Sequence, residues 1–323
     1  MTAPSPATRL VARTPEDLVA MVPVVLGFVP QDSVALLTFG GTQTFHARLD
    51  LPPPEEPDEV EAAVDLLLEP SVRHGVRQVV LVVFADDGRG AGLVGQALVA
   101  AFEDRGIDVV QALRADGHRC FPLVPGRAGV PWTGVPYELS SHRFTAQAVL
   151  DGRVTHHSRA ALAATLTRDE TRVAAVTAAA AAACTAADGD SGPADAAWVA
   201  EVVAGHAGRG SVPDDAEAGR LLALLRDVAA RDAALFLVDR RDAEDHVALW
   251  TDLVRRSPDD LLASPAVLLG FAAWIAGHGA LAWCAVDVCR SVEPEHRMAG
   301  MLSELLAEAV PPSEWERFRE VPA

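Results

Sequence analysis

The chain is predicted to fold as an α/β domain, a mixed sheet that starts from an N-terminal antiparallel hairpin and continues by parallel crossovers, followed by an all-α helical domain. Three observations predict it. Two strand-like segments, Val34–Phe39 and Thr42–Leu51, flank Gly40-Gly41. Short apolar runs at Gln78–Phe84 and Ile107–Leu113 then alternate with helical patterns. From about Arg159 the β pattern gives way to alanine-rich segments of helical period. The predicted boundaries are 10–157 for the α/β domain and 158–323 for the helical one. In a chain of 323 residues each half is long enough to bury a core without disulfides or metals.

Taken in order, Thr14-Pro15-Glu16-Asp17 opens a helix: a capping hydroxyl, proline in the first turn, and two acids at the positive end of the dipole. Gly27 should end it, with Pro30 preventing resumption and Pro23 bending or shortening it. Gly40-Gly41 suits a two-residue turn, and pairing across it sets Ser33 opposite Arg48, with Asp50 on the same face. Thr44, His46, Arg48 and Asp50 form a polar stripe; Phe45, Ala47, Leu49 and Leu51 form the apolar one. After the Pro52-Pro53-Pro54 break, a helix at Asp58–Leu68 leads to the Gln78–Phe84 strand, and a helix at Leu93–Arg105 leads to the next. Each is a parallel crossover.

This topology places Asp32, Ser33, Arg48, Asp50, Asp86, Asp87 and Asp116 along one rim of the sheet. Open α/β sheets bind ligands outside the carboxyl ends of their strands, so the rim is the expected site.

In the second half, helices are expected at Arg168–Ala187, Ala194–Ala204, Asp214–Val238, Asp242–Arg256, Pro258–Ala276, Ala280–Ser291, Pro294–Ala309 and Ser313–Arg319, with a glycine-rich break at 188–193. Ser264–Val286 has no charged residue, yet its central Gly277-His278-Gly279 suits two short buried helices better than a membrane span. Leu269-Gly270, Ala282, Cys289 and Pro294 have the spacing of a tetratricopeptide-type hairpin, read as general helix packing since no second copy follows. The five tryptophans of this half are expected in helix packing.

The net charge of −18 repels phosphate backbones and anionic lipid, which argues against nucleic-acid and membrane-surface binding. All basic residues are Arg, and Lys and Asn are absent, which points to a high-GC genome. Four cysteines without a C-x-x-C pair, and no signal segment, suggest the cytoplasm.

Gly90-x-Gly92-x-x-Gly95 matches a dinucleotide fingerprint, but Asp86-Asp87-Gly88-Arg89 stands where that fingerprint needs an immediate turn, so a glycine-rich surface loop opening a helix is preferred. Asp32, Asp50 and Asp86 are candidate Mg²⁺ ligands for phosphoryl transfer or hydrolysis, set against an Arg48–Asp50 structural pair. Ser33, His46 and Asp50 make a weak triad, and His118, His142, His156 and His157 with Cys120 lack zinc-ligand spacing.

Pro23-x-x-Leu26-Gly27-Phe28-x-Pro30-x-x-Ser33, Arg48-x-Asp50-Leu51-Pro52, Gly134-Val-Pro-Tyr137, Gly152-Arg-Val154 and Ser158-Arg159 together resemble an actinobacterial domain-of-unknown-function family, number 4192. The resemblance covers most of the chain and implies a soluble cytoplasmic actinobacterial protein. It carries over no catalytic residue, and the tryptophan- and cysteine-bearing segment of the family reads His118-Arg-Cys-Phe-Pro122 here.

The expected function is therefore a ligand- or protein-binding regulatory protein without its own catalysis or cofactor. Ser33, Arg48, Asp50, Asp32 and Asp86 are its candidate ligand residues, and the helical half is a possible contact for a protein partner. The alternative is the Mg²⁺-dependent enzyme at the same rim.

Overall fold

A computed structural model describes residues 11–124, 129–186 and 193–320. Helix α1 (Pro15–Leu26) begins with a reciprocal capping box: the Thr14 hydroxyl accepts from the Asp17 amide, and the Asp17 carboxylate accepts from the Thr14 amide. Pro23 is accommodated and Gly27, at φ 81°, closes the helix with its amide on Pro23 O. Strands β1 (Ser33–Phe39) and β2 (His46–Asp50) are antiparallel.

The turn between β1 and β2 departs from the two-residue expectation. A six-residue connection intervenes because its tip is tied elsewhere: the Thr42 amide and hydroxyl both donate to His74 O, and a Cβ on Gly41 would lie 2.8 Å from that oxygen. The Thr38 hydroxyl bonds Phe45 in place of a strand pair. Regular pairing begins only at Leu37↔His46, so Ser33 stands opposite Asp50, and Arg48 opposite Ala35. The expected Ser33–Arg48 register is thus corrected by two residues. A two-residue slip keeps every side chain on its own face, so the apolar stripe of Phe45, Ala47, Leu49 and Leu51 still packs on the core.

Helix α2 (Pro57–Arg73) runs past the expected end, tolerating Pro70, and leads to β3 (Gln78–Phe84). Helix α3 (Gly88–Asp104) leads to β4 (Asp108–Ala115), parallel to β3. Three elements had no strong sequence signal: β5 (Arg119–Pro122), β6 (Val135–Pro136) and α4 (Arg143–Leu150). The sheet order is β2-β1-β3-β4-β5-β6. Val34, Leu36, Leu81 and Ala112 face a core shared with α2 and α3; Ala35, Leu37, Val82 and Leu113 face α1 on the other side. Helix α4 docks on α1, with Arg143 and His142 both on the buried Asp17 carboxylate at 2.7 and 3.2 Å.

The chain divides after Arg159 into two compact units. The helices that follow are α5 (Arg159–Ala164), α6 (Glu170–Ala186), α7 (Pro193–Arg209), α8 (Asp215–Leu224), α9 (Val228–Leu235), α10 (Ala243–Arg256), α11 (Ala263–Ala276), α12 (Gly279–Val292), α13 (Arg297–Ala307) and α14 (Ser313–Glu320). The break expected at 188–193 falls outside the described residues apart from Pro193. Gly277 ends α11 at φ 87°, so the uncharged segment forms two helices, and no helix among the described residues is long and apolar enough to cross a membrane.

Alanine-rich α6 meets α8 so closely that a Cβ on Gly219 would lie 2.6 Å from the Ala179 Cβ. Small residues there are a packing requirement. The fully buried Arg256 binds Asp252, Asp215 at 3.1 Å and Pro213 O at 3.1 Å, while Arg172 reaches Asp215 at 2.6 Å. This network joins α6, α8 and α10. Of the five tryptophans expected in helix packing, Trp250, Trp274 and Trp315 are buried, while Trp198 and Trp283 are half-buried.

Candidate functional site

The strand register assembles the predicted rim. The start of β1 (Ser33) pairs with the ends of β2 (Asp50) and β3 (Phe84), and Phe84 pairs with Ala115 at the end of β4. Three of the five candidate side chains meet there. Ser33 is fully buried; its hydroxyl donates to Gln31 O and accepts from Arg48 Nε at 2.8 Å. The same guanidinium donates to Gln31 O at 3.3 Å and pairs with Asp50 at 2.6 Å. Asp32 holds the left-handed φ of 41° that turns the chain into β1, and its carbonyl accepts the Leu51 amide. These contacts satisfy the groups with one another and fasten the entry of β1 to the exit of β2. The Val29 amide donates to His156 O and the His156 amide to Gly27 O, tying the chain between the last two family motifs to the first.

Asp86 lies on the rim as well, with an exposed side chain and its carbonyl accepting from Arg114 at 3.1 Å. Asp32, Asp50 and Asp86 do not gather as a ligand set: among the described residues no group of three or more His, Cys, Asp or Glu is placed to hold a metal ion. His46 lies opposite Leu37, and its buried Nδ1 has no hydrogen-bond partner, so it does not serve Ser33. Burial pushes the His46 pKa down to about 4. Cys120 is fully buried and its thiol is pushed up to about 11 by burial, which leaves it protonated at neutral pH.

The glycines of the G-x-G-x-x-G motif lie inside α3, not in a loop before it. Both oxygens of the Asp87 carboxylate cap the helix, on the Arg89 and Gly90 amides at 2.9 Å, and those bonds hold the Asp87 carboxyl below its ordinary range. The amides that a pyrophosphate would need are thus occupied. Gly95 is small because Leu123 lies against it; an added Cβ would come within 2.9 Å of a Leu123 methyl.

Beside this helix start, at the carboxyl end of β4, lies an open cleft of about 340 Å³. It is lined by Arg89, Leu93 and Gln96 of α3, Arg114 of β4, Pro122 and Leu123 at the end of β5, and Trp132 from the β5–β6 connection. Arg114 is held by Ala85 O at 3.0 Å and stacks over Phe121 at 4.2 Å, so its charge is fixed in place. Trp132 is 64% exposed. The lining thus combines two guanidinium groups, a carboxamide and an exposed indole. Trp132 lies in a Pro-Trp-Thr-Gly turn outside any apolar period, so its one signal in the sequence is a large aromatic where a loop would be polar.

A mixed sheet covered by helices on both faces, with a basic cleft at its strand ends and a separate helical unit, defines the class: a two-part α/β plus all-α protein. The chain belongs to the family described as Domain of unknown function (DUF4192), which it matches over residues 15–313. Comparison with curated proteins and with solved structures gave no significant match.

Proposed function

We propose that this is a soluble, cytoplasmic, actinobacterial binding protein without its own catalysis, whose α/β unit takes a small anionic, ring-bearing ligand in the strand-end cleft. One observation carries the reading: among the described residues the cleft lining offers two guanidinium groups, an amide and an exposed indole, and no carboxylate, imidazole, thiol or hydroxyl. Such a set binds and orients; it contains no general base or nucleophile. The lysine-free, arginine-only composition supports the source, and the net charge of −18 supports the absence of nucleic-acid or anionic-membrane partners. The helical unit supplies area for regulatory protein contact.

Calorimetric titration of the full chain with adenosine 5′-monophosphate, adenosine and inorganic phosphate tests the proposal. The monophosphate should bind more tightly than either fragment, and Trp132→Ala or Arg89→Ala should weaken it. Equal, variant-insensitive responses, or turnover of the probe, would remove the reading.

A further inference from the structure

On the outer surface of α2 and α3 a second concavity, of about 560 Å³, is built by two matching rows. Val60, Val64 and Leu68 follow one another at four-residue steps along α2, and Leu93, Ala97 and Ala101 do the same along α3. Rows at that spacing are the ridges between which a third helix seats its own. The small Ala97 and Ala101 keep the trough wide; Leu93 is 52% exposed at one end of its row, Val60, Ala97 and Ala101 are half-buried, and Val64 and Leu68 are buried against the core.

The rim has a strong sign. Helix α2 carries five acids (Asp58, Glu59, Glu61, Asp65, Glu69) against one base, Arg73; Glu61, Asp65 and Asp104 edge the trough itself, with Arg105 alone of opposite charge. At the start of α2 the acids already repel one another, and Glu59 raises the pKa of Glu56. An anionic lipid surface is repelled by this rim, and a second copy of a chain of net charge −18 is a poor complement. We infer that the α2–α3 trough docks a basic amphipathic helix of a partner protein, apolar face down and arginine or lysine side chains over the acidic rim.

The probe is a fluorescent amphipathic peptide of about 18 residues, enough for five turns, with Leu on one face and Arg on the other, and its counterpart with Glu for every Arg. Anisotropy with the full chain should show saturable binding of the Arg peptide, weakened about tenfold or more by the double variant Glu61→Arg/Asp65→Arg and by Ala97→Leu, which fills the trough. The acidic peptide should not bind. Glu61 and Asp65 are exposed and Ala97, half-buried against the core, lies outside the strand-end cleft; circular dichroism and urea melts verify that each variant folds, and the phosphate titrations that the cleft is unchanged. Equal affinity across the variants, or no binding of the Arg peptide, overturns the inference. So does a wild-type dimer, by light scattering, that Ala97→Leu dissolves, because the trough then belongs to a second copy.

Discussion

Arg48 donates from Nε to the Ser33 hydroxyl at 2.8 Å although the two residues are not opposite one another in the sheet, where Ser33 faces Asp50. The diagonal bond lets one guanidinium hold Ser33, Gln31 O and Asp50 together. Arg48→Met should lower stability by about 1–3 kcal/mol, since the buried Ser33 hydroxyl loses a charged donor. Ser33→Ala should cost about 1 kcal/mol. Urea midpoints of both variants measure this; unchanged midpoints would mean that the contacts fasten nothing.

The depressed pKa of His46 makes stability depend on pH. Folded His46 stays neutral down to about 4, whereas the unfolded side chain takes up its proton near its ordinary 6.5. The unfolded state therefore binds more protons across that window, so the stability present above 6.5 is lost progressively as pH falls toward 4. The loss from this residue between pH 7 and 5.5 is on the order of 1 kcal/mol. His46→Leu should flatten that part of the profile relative to the parent protein in urea titrations at the two pH values.

The three motif glycines of α3 should sort by packing and not by ligand. Gly92 has no atom within 4 Å of an added Cβ, so Gly92→Ala should stabilise the helix by about 0.5–1 kcal/mol. Gly95→Ala should destabilise by about 1–3 kcal/mol through the clash with Leu123. Thermal melts of the two variants should move in opposite directions.

In the helical unit, Arg256→Met removes the charge that two acids share. Because Asp252 and Asp215 keep 24% and 38% exposure, water offsets part of the loss. The cost should fall at or below the lower end of the about 3–5 kcal/mol typical of broken buried pairs. Arg256→Lys should not restore it, since one ammonium cannot span Asp252, Asp215 and Pro213 O together. Chemical denaturation of the two variants checks both statements.

The elements best read from the sequence are those whose signal is local. The α1 cap and stop, the β3 strand and the two short helices of the uncharged segment follow from capping residues, glycine and period. The β1–β2 faces were legible but their partners were not, because side-chain period is insensitive to a two-residue slip, and the slip is caused by His74, far along the chain. The rim was legible as topology, since strand direction alone places its residues. The cleft was not: Arg89, Arg114 and Trp132 come from three elements, and one of them follows the short β5 that no pattern announced. The Arg172–Asp215–Arg256 network is hidden for the same reason, its members being joined only by helix packing.

The central claim, that the strand-end cleft binds and the Ser33–Arg48–Asp50 set fastens the sheet, separates affinity from stability. The most direct measurement is adenosine 5′-monophosphate affinity by calorimetry, with urea stability in parallel, on Trp132→Ala and Arg48→Met. Trp132→Ala should lose affinity and keep stability, while Arg48→Met should lose stability and keep affinity. Loss of affinity in a folded Arg48→Met protein, with Trp132→Ala unaffected, would contradict the central claim.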